Sequence, residues 1–185
     1  MSQIKPLLNH GHQHFGENKV QEALEKWLVI KEKFNNTKLH MIGSLQTNKV
    51  KYVVKLFDYI HSVDSLKLAE KISKEQKKIN KSLKIFIQVN IGQEIQKSGI
   101  EIESLENFYE ICVKKLDLDI IGLMCLPPNN KNNSKYFLKM KGLASKIGVN
   151  ELSMGMSADY IQASSQGSTF VRVGSNIFGE RFKKF

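Results

Sequence analysis

With 185 residues, 41% of them apolar and 25% charged, the chain suits one folded domain with a substantial core and excludes a disordered or fibrous protein. No apolar run approaches the length of a membrane span, and the opening MSQIKPLLNHG has no apolar signal core, so a cytoplasmic protein without membrane attachment is expected. The net charge of +10 invites a nucleic-acid partner, but every basic residue except Arg172 and Arg181 is a lysine, scattered among glutamates, which reads as solvated surface.

In chain order the apolar period alternates between about two and about 3.6 residues. Residues 2–10 read as a short helix with Ser2 as N-cap, and residues 12–18 (HQHFGEN) as a strand ending in a polar turn. Residues 20–34 are helical, with Val20, Leu24, Trp27, Leu28 and Ile30 on one broad stripe. Residues 38–44 form a strand, 47–57 a helix and 59–63 a strand, after which Ser65 is expected to cap a helix reaching Ile79. The run LKIFIQVNI at 83–91 is the clearest strand, followed by a polar loop through Gly99.

The rhythm repeats in the second half. A helix is expected over 102–115, and a nearly continuous apolar strand over 118–126, stopped by Pro127 and Pro128. Then come a helix over 134–147, a strand over 151–156, a helix over 158–166 and a last strand over 170–175. Cys112 and Cys125 fall in a helix and a strand without CxxC spacing, as core residues of a reducing compartment.

Seven strands, each preceded by a helix, predict an α/β protein with parallel strands and crossover helices. The first strand ends in FGEN rather than a glycine-rich dinucleotide turn, which favours a TIM-type (β/α)8 barrel over a doubly wound sheet. The chain opens directly on a helix, so the strand missing from eight is the first.

In such barrels ligands gather at the C-terminal strand ends, with phosphate often bound after strands seven and eight. Those loops here are Gly155-Met156-Ser157-Ala158-Asp159 and Gly174-Ser175-Asn176, whose backbone N–H groups and hydroxyls suit a phosphate. Val171 and Val173 alternate with Phe170, Arg172 and Gly174, so Arg172 points into the barrel if the valines face the helices. The same residues also fit a plain turn with a structural ion pair, and Ser157 fits a helix N-cap equally well. Asn18, at another strand end, is a polar contact for a ring substituent or ordinary turn chemistry. His12 and His14 share a strand face, but no carboxylate or cysteine joins them at ligand spacing, so no metal is expected.

The chain resembles the pyridoxal phosphate homeostasis proteins, single-barrel relatives of the N-terminal domain of alanine racemase. The matching motifs are FGEN (15–18) with Val20-Gln21-Glu22, HMIGSLQTNK (40–49), KSGI (97–100), GLM (122–124), LSMGMSAD (152–159) and the stretch from Gly167 to Arg181. The resemblance implies pyridoxal 5′-phosphate (PLP) held by its phosphate at Ser157, Gly174 and Ser175, with Met156 alongside, Asn18 near the ring and Arg172 facing the pyridine nitrogen. It also implies a protein that binds, buffers or delivers PLP to PLP-dependent apoenzymes without turnover. In that family the Schiff-base lysine ends the first barrel strand, which would fall just upstream of Met1. Lys5 lies on a helix and Lys97 in a loop, so neither replaces it. The reading is therefore a single PLP-binding barrel domain over 1–185, N-terminally incomplete, monomeric, holding the cofactor noncovalently and weakly. Exposed edges on the strands at 12–18 and 170–175 would make it prone to aggregate. The rival readings are an amino-acid racemase-like PLP enzyme, or a remnant of one, and a basic nucleic-acid-binding domain.

Overall fold

Seven short strands with side chains alternating between two faces need both faces covered, and the structure covers them differently. In the computed structural model, which describes residues 3–94, 96–128 and 132–179, the strands are β1 (His14–Glu17), β2 (Lys38–Met41), β3 (Tyr59–Val63), β4 (Lys84–Val89), β5 (Asp119–Cys125), β6 (Glu151–Met156) and β7 (Phe170–Arg172). They pair in parallel and in chain order, β1 to β7, as a nearly closed barrel. Around them run α1 (Ile4–Asn9), α2 (Val20–Lys33), α3 (Val50–Leu56), α4 (Leu66–Lys78), α5 (Leu105–Glu110), α6 (Ser134–Ile147) and α7 (Tyr160–Ser165), with α8 (Ser175–Phe178) at the end. No helix among the described residues is long and apolar enough to cross a membrane.

The outer face of the strands carries the main core. On α2, Val20, Ala23, Trp27 and Ile30 recur at helical spacing and are buried, as are Leu68, Ala69 and Ile72 of α4 and Phe137, Met140 and Ala144 of α6. They meet outward strand residues such as Leu39, Ile85, Ile87, Leu123 and Leu152 in one continuous cluster. Gly122 permits the β5–β6 approach, because a Cβ there would lie 2.0 Å from the Glu151 carbonyl oxygen. Many lysines are held by carboxylates, as in Lys31–Asp58, Lys71–Glu75 and Lys114–Glu110. Both cysteines are buried and free, and burial pushes their thiols up to about 12, which leaves them inert.

Glu17 shows how a charge is accommodated beneath α2. Its carboxylate accepts from Trp27 Nε1 and Lys26 Nζ, both at 2.6 Å. Glu17→Gln removes the charge and is expected to cost about 1–2 kcal/mol, whereas Glu17→Leu strands the indole N–H and costs about 3 kcal/mol. Urea unfolding followed by the fluorescence of the single tryptophan checks both values.

Four local expectations are corrected. β1 starts at His14, since His12 N–H donates to Leu7 O and finishes the turn after α1. Ser65 occupies the N-cap position of α4 but makes no side-chain cap bond. The helix expected over 102–115 divides into a 3₁₀ turn (Ile102–Ser104), α5 and a π segment (Ile111–Lys115), which keeps Cys112 buried while Lys114 and Lys115 stay in solvent. The last strand stops at Arg172, because the Gly174 carbonyl accepts from Ile177 and Phe178 and coils Ser175 into α8. The expected cap Ser2 and the far end of the last motif, including Arg181, lie outside the described residues.

Candidate cofactor site at the ends of β6 and β7

The last residue but one of β6 is Gly155, whose φ of +88° is a left-handed conformation that side chains resist. This turn throws Met156 and Ser157 outward. Asp159 staples it: Oδ1 accepts the Met156 N–H at 2.7 Å, and Oδ2 accepts from Asn133 Nδ2 at 2.7 Å. The cap of α7 is therefore at Asp159 and not at Ser157. Ser157 instead reaches across to the turn after β7, where its Oγ accepts the Gly174 N–H at 3.1 Å. Asn176 Nδ2 returns a bond to Ser157 O at 3.1 Å.

Met156, Ser157, Gly174 and Ser175 thus stand together on one rim, joined by these two bonds. The backbone N–H groups of Ser157, Ala158, Ser175 and Asn176 find no acceptor among the described residues. Clustered donors of this kind, with two hydroxyls and the first turn of α8, can serve an anionic oxygen cluster.

Arg172 lies beneath that rim and points inward. Its guanidinium donates to Ser153 Oγ at 2.7 Å and to Cys125 O at 2.9 Å. No carboxylate among the described residues lies within ion-pair distance, so two neutral oxygens hold this cation. Burial pulls its pKa below the ordinary arginine value, and Cys125 and Asp159 partly oppose that.

The interior below is aromatic. His40 stacks on Tyr59 at 4.1 Å and His61 on Phe86 at 4.2 Å. Phe170 touches His14, His40, Tyr59, His61 and Phe86 with centroids 5.5 to 6.0 Å away. His14 Nδ1 meets His40 Nε2 at 2.9 Å, His40 Nδ1 meets His61 Nε2 at 2.9 Å, and His61 Nδ1 meets Ser153 Oγ at 2.8 Å. Burial holds all three imidazoles below their usual pKa, His40 at about 3, with neighbouring histidines adding to the effect.

The pairing of His12 with His14 seen along the strand does not form a chelate. His12 Nε2 lies 2.8 Å from the His14 carbonyl oxygen, while the His14 ring turns toward His40. No cluster of three metal-type ligands occurs among the described residues. Asn18 is exposed at the C-terminal end of β1, backed by Gly43, and makes no described hydrogen bond to the β6 and β7 turns. Lys97, on the loop after β4, has its amine 2.5 Å from Glu94 Oε2 and 3.3 Å from Pro127 O. Sequence reading missed the role of Asp159, whose position just ahead of α7 was the available cue, and missed Ser153, His40 and His61, which sit on β6, β2 and β3.

A parallel barrel with a donor-lined rim after its last two strands and an inward arginine belongs to the (β/α) barrels, in which that end commonly receives phosphate. The family model described as alanine racemase, N-terminal domain, matches residues 1–182. A pyridoxal phosphate homeostasis protein of Aquifex aeolicus is 38% identical over 96% of this chain and 81% of its own length. One of Vibrio cholerae is 38% identical over 92% of this chain and 77% of its own length. The chain belongs to the pyridoxal phosphate homeostasis proteins, within the alanine racemase N-terminal domain family. PipY of Synechococcus elongatus, solved with PLP bound, superposes with a TM-score of 0.88 at 31% identity, covering 96% of this chain and 87% of that one. An alanine racemase of Clostridium difficile, 15% identical with a TM-score of 0.74, shares the fold.

Proposed function

We propose that this chain binds pyridoxal 5′-phosphate noncovalently and serves intracellular PLP homeostasis, holding the cofactor without turning over a substrate. The Gly174 N–H bond to Ser157 Oγ carries the reading, because it brings the two phosphate-type turns into one rim. PLP in PipY and the names of the relatives support it. The residues fit the group on chemical grounds: unpaired N–H groups and hydroxyls for a dianion, and a guanidinium without a carboxylate for a ring nitrogen. When bound, the cofactor supplies an aldehyde that condenses with amines.

In this reading Ser157, Gly174 and Ser175 hold the phosphate, with Met156 against the ring and Asn18 toward its substituents. Arg172 donates to the pyridine nitrogen, which keeps the ring unprotonated and a weak electron sink. That suits storage better than racemization. PLP-dependent apoenzymes in the cytoplasm would receive the cofactor, and residues 1–185 would act as one domain, as a monomer.

Titration with PLP, pyridoxal and inorganic phosphate, followed by absorbance and equilibrium dialysis, tests the assignment. PLP is expected to bind saturably and to be displaced by phosphate. Ser157→Ala with Ser175→Ala is expected to weaken it by about tenfold to a hundredfold, the worth of one or two charge-assisted hydrogen bonds. Equal binding of PLP and pyridoxal would overturn the phosphate site.

A further inference from the structure

The hydrogen-bonded string beneath the rim has one member whose role is not negotiable: an arginine donates and never accepts. Ser153 Oγ is fully buried, and its partners are Arg172 and His61 Nδ1. Since Arg172 cannot take the hydroxyl proton, that proton goes to His61 Nδ1. His61 then carries its own proton on Nε2 and donates to His40 Nδ1; His40 likewise donates from Nε2 to His14 Nδ1. His14, exposed on β1, ends the string with its proton on Nε2.

We infer that His14, His40 and His61, acting through Ser153, form a one-directional chain of neutral Nε2–H imidazoles that positions the Arg172 guanidinium. The string is not a proton relay, because its inner end is a group that does not release a proton near neutral pH. Its effect is orientation. Every ring aims an acceptor lone pair toward the guanidinium and an N–H away from it. The cation is therefore supported by aligned neutral dipoles, and its full charge remains available to a ligand. A carboxylate in the position of Ser153 would hold the arginine as firmly and cancel that charge.

The packing keeps this direction in place. His61 faces Arg172, His40, Phe86 and Phe170; His40 faces His14, Tyr59 and, farther off, Asp58 and Lys31; His14 faces His12, Lys38 and Asp58. Lys84 stands 5.8 Å over the Tyr59 ring. An imidazolium at His14 or His40 would set two N–H groups against each other, and one at His61 would take the Ser153 oxygen as its acceptor and leave the hydroxyl proton without one, so the string keeps this direction only while all three are neutral.

The proposal depends on the cofactor reading solely for the identity of the ligand at Arg172, and its test separates the two. The full chain, labelled with ¹⁵N, gives long-range ring correlations that report histidine tautomers and guanidinium signals that report Arg172 exchange. The only other arginine is Arg181, removed by R181K for assignment. Wild type is compared with His61→Phe, which keeps a ring against Phe86, with Ser153→Ala, and with the packing control Phe86→Leu. Nε2–H tautomers at all three rings are expected near neutral pH. Arg172 N–H exchange should be about tenfold faster in His61→Phe and Ser153→Ala, the effect of one lost hydrogen bond to a charged group, and unchanged in Phe86→Leu.

PLP titration of the same proteins should show affinity about tenfold lower in the first two variants alone. A Nδ1–H or charged ring, or unchanged Arg172 exchange in both variants, overturns the chain. Unchanged PLP affinity in both variants overturns its role in binding. A wild type that binds no PLP sinks the cofactor reading, while the tautomers and exchange rates still decide the chain.

Discussion

Replacing Gly155 by alanine is expected to destabilise the protein by about 3 kcal/mol and to raise the PLP dissociation constant by about a hundredfold. Two costs coincide at this residue. Its φ of +88° is one that an L side chain adopts at a cost of about 1–2 kcal/mol. The added Cβ would also lie 2.4 Å from Ala163 Cβ and 3.1 Å from Tyr160 Cα. Neither neighbour is the tip of a flexible chain, so relief requires α7 to move, and with it the Asp159 carboxylate that holds Met156 N–H. Ser157 would then be carried away from Gly174, and the rim would open.

Gly167→Ala separates the two costs. Its φ is +97°, but the nearest atoms to an added Cβ are 3.8 Å away on the Lys141 side chain. Only backbone strain of about 1–2 kcal/mol is expected there, with PLP affinity retained. Urea midpoints and PLP titration on both variants supply the comparison. If the two glycines behave alike, the collision with α7 does not hold the Ser157 turn in place.

Acid is expected to unfold this protein at a milder pH than carboxylate titration alone would set. His40 is held at about 3 and His61 well below 6.5, both chiefly by burial. In the unfolded chain both take protons as pH falls below 6.5, while the folded chain leaves them neutral. The unfolded state then binds more protons, and stability decreases with falling pH by about 1.4 kcal/mol per pH unit for each ring. Two rings give a slope of about 2.7 kcal/mol per unit until pH nears the folded value. Two pH units remove about 5 kcal/mol, a large share of the stability of a domain this size.

His14 contributes in the same direction but less, because it is exposed. Glu75, drawn down to about 2 by hydrogen bonds from Lys71 and then Lys78, adds its loss only below the ordinary carboxylate range. Urea unfolding between pH 7.5 and 5 checks the slope. A His40→Gln, His61→Phe double variant should flatten it even though it starts less stable. A wild-type slope below about 1 kcal/mol per unit would mean that the folded chain admits the protons.

Much of the fold was legible in residue order. The switch between periods marks each strand and helix, since a helix and a strand bury different spacings of the same apolar residues. The inward aim of Arg172 followed from Val171 and Val173 alternating with it, and the structure places the guanidinium on Ser153 and Cys125. The boundaries read less well wherever an acceptor oxygen has two possible partners. Gly174 O closes a helical turn instead of extending β7, and Ser157 Oγ takes the N–H of Gly174 in the neighbouring turn instead of capping its own helix.

By itself, then, the sequence determined that Arg172 faces the barrel interior and which two turns offer N–H groups at the strand ends, because both follow from local backbone geometry. Tertiary structure alone decided what those inward groups do. His61 and Ser153 are 92 residues apart, and no local period announces that they will share a proton. Their meeting depends on how strands from opposite sides of the sheet close around one interior. The direction of that hydrogen bond depends on a third residue, Arg172, which can only donate.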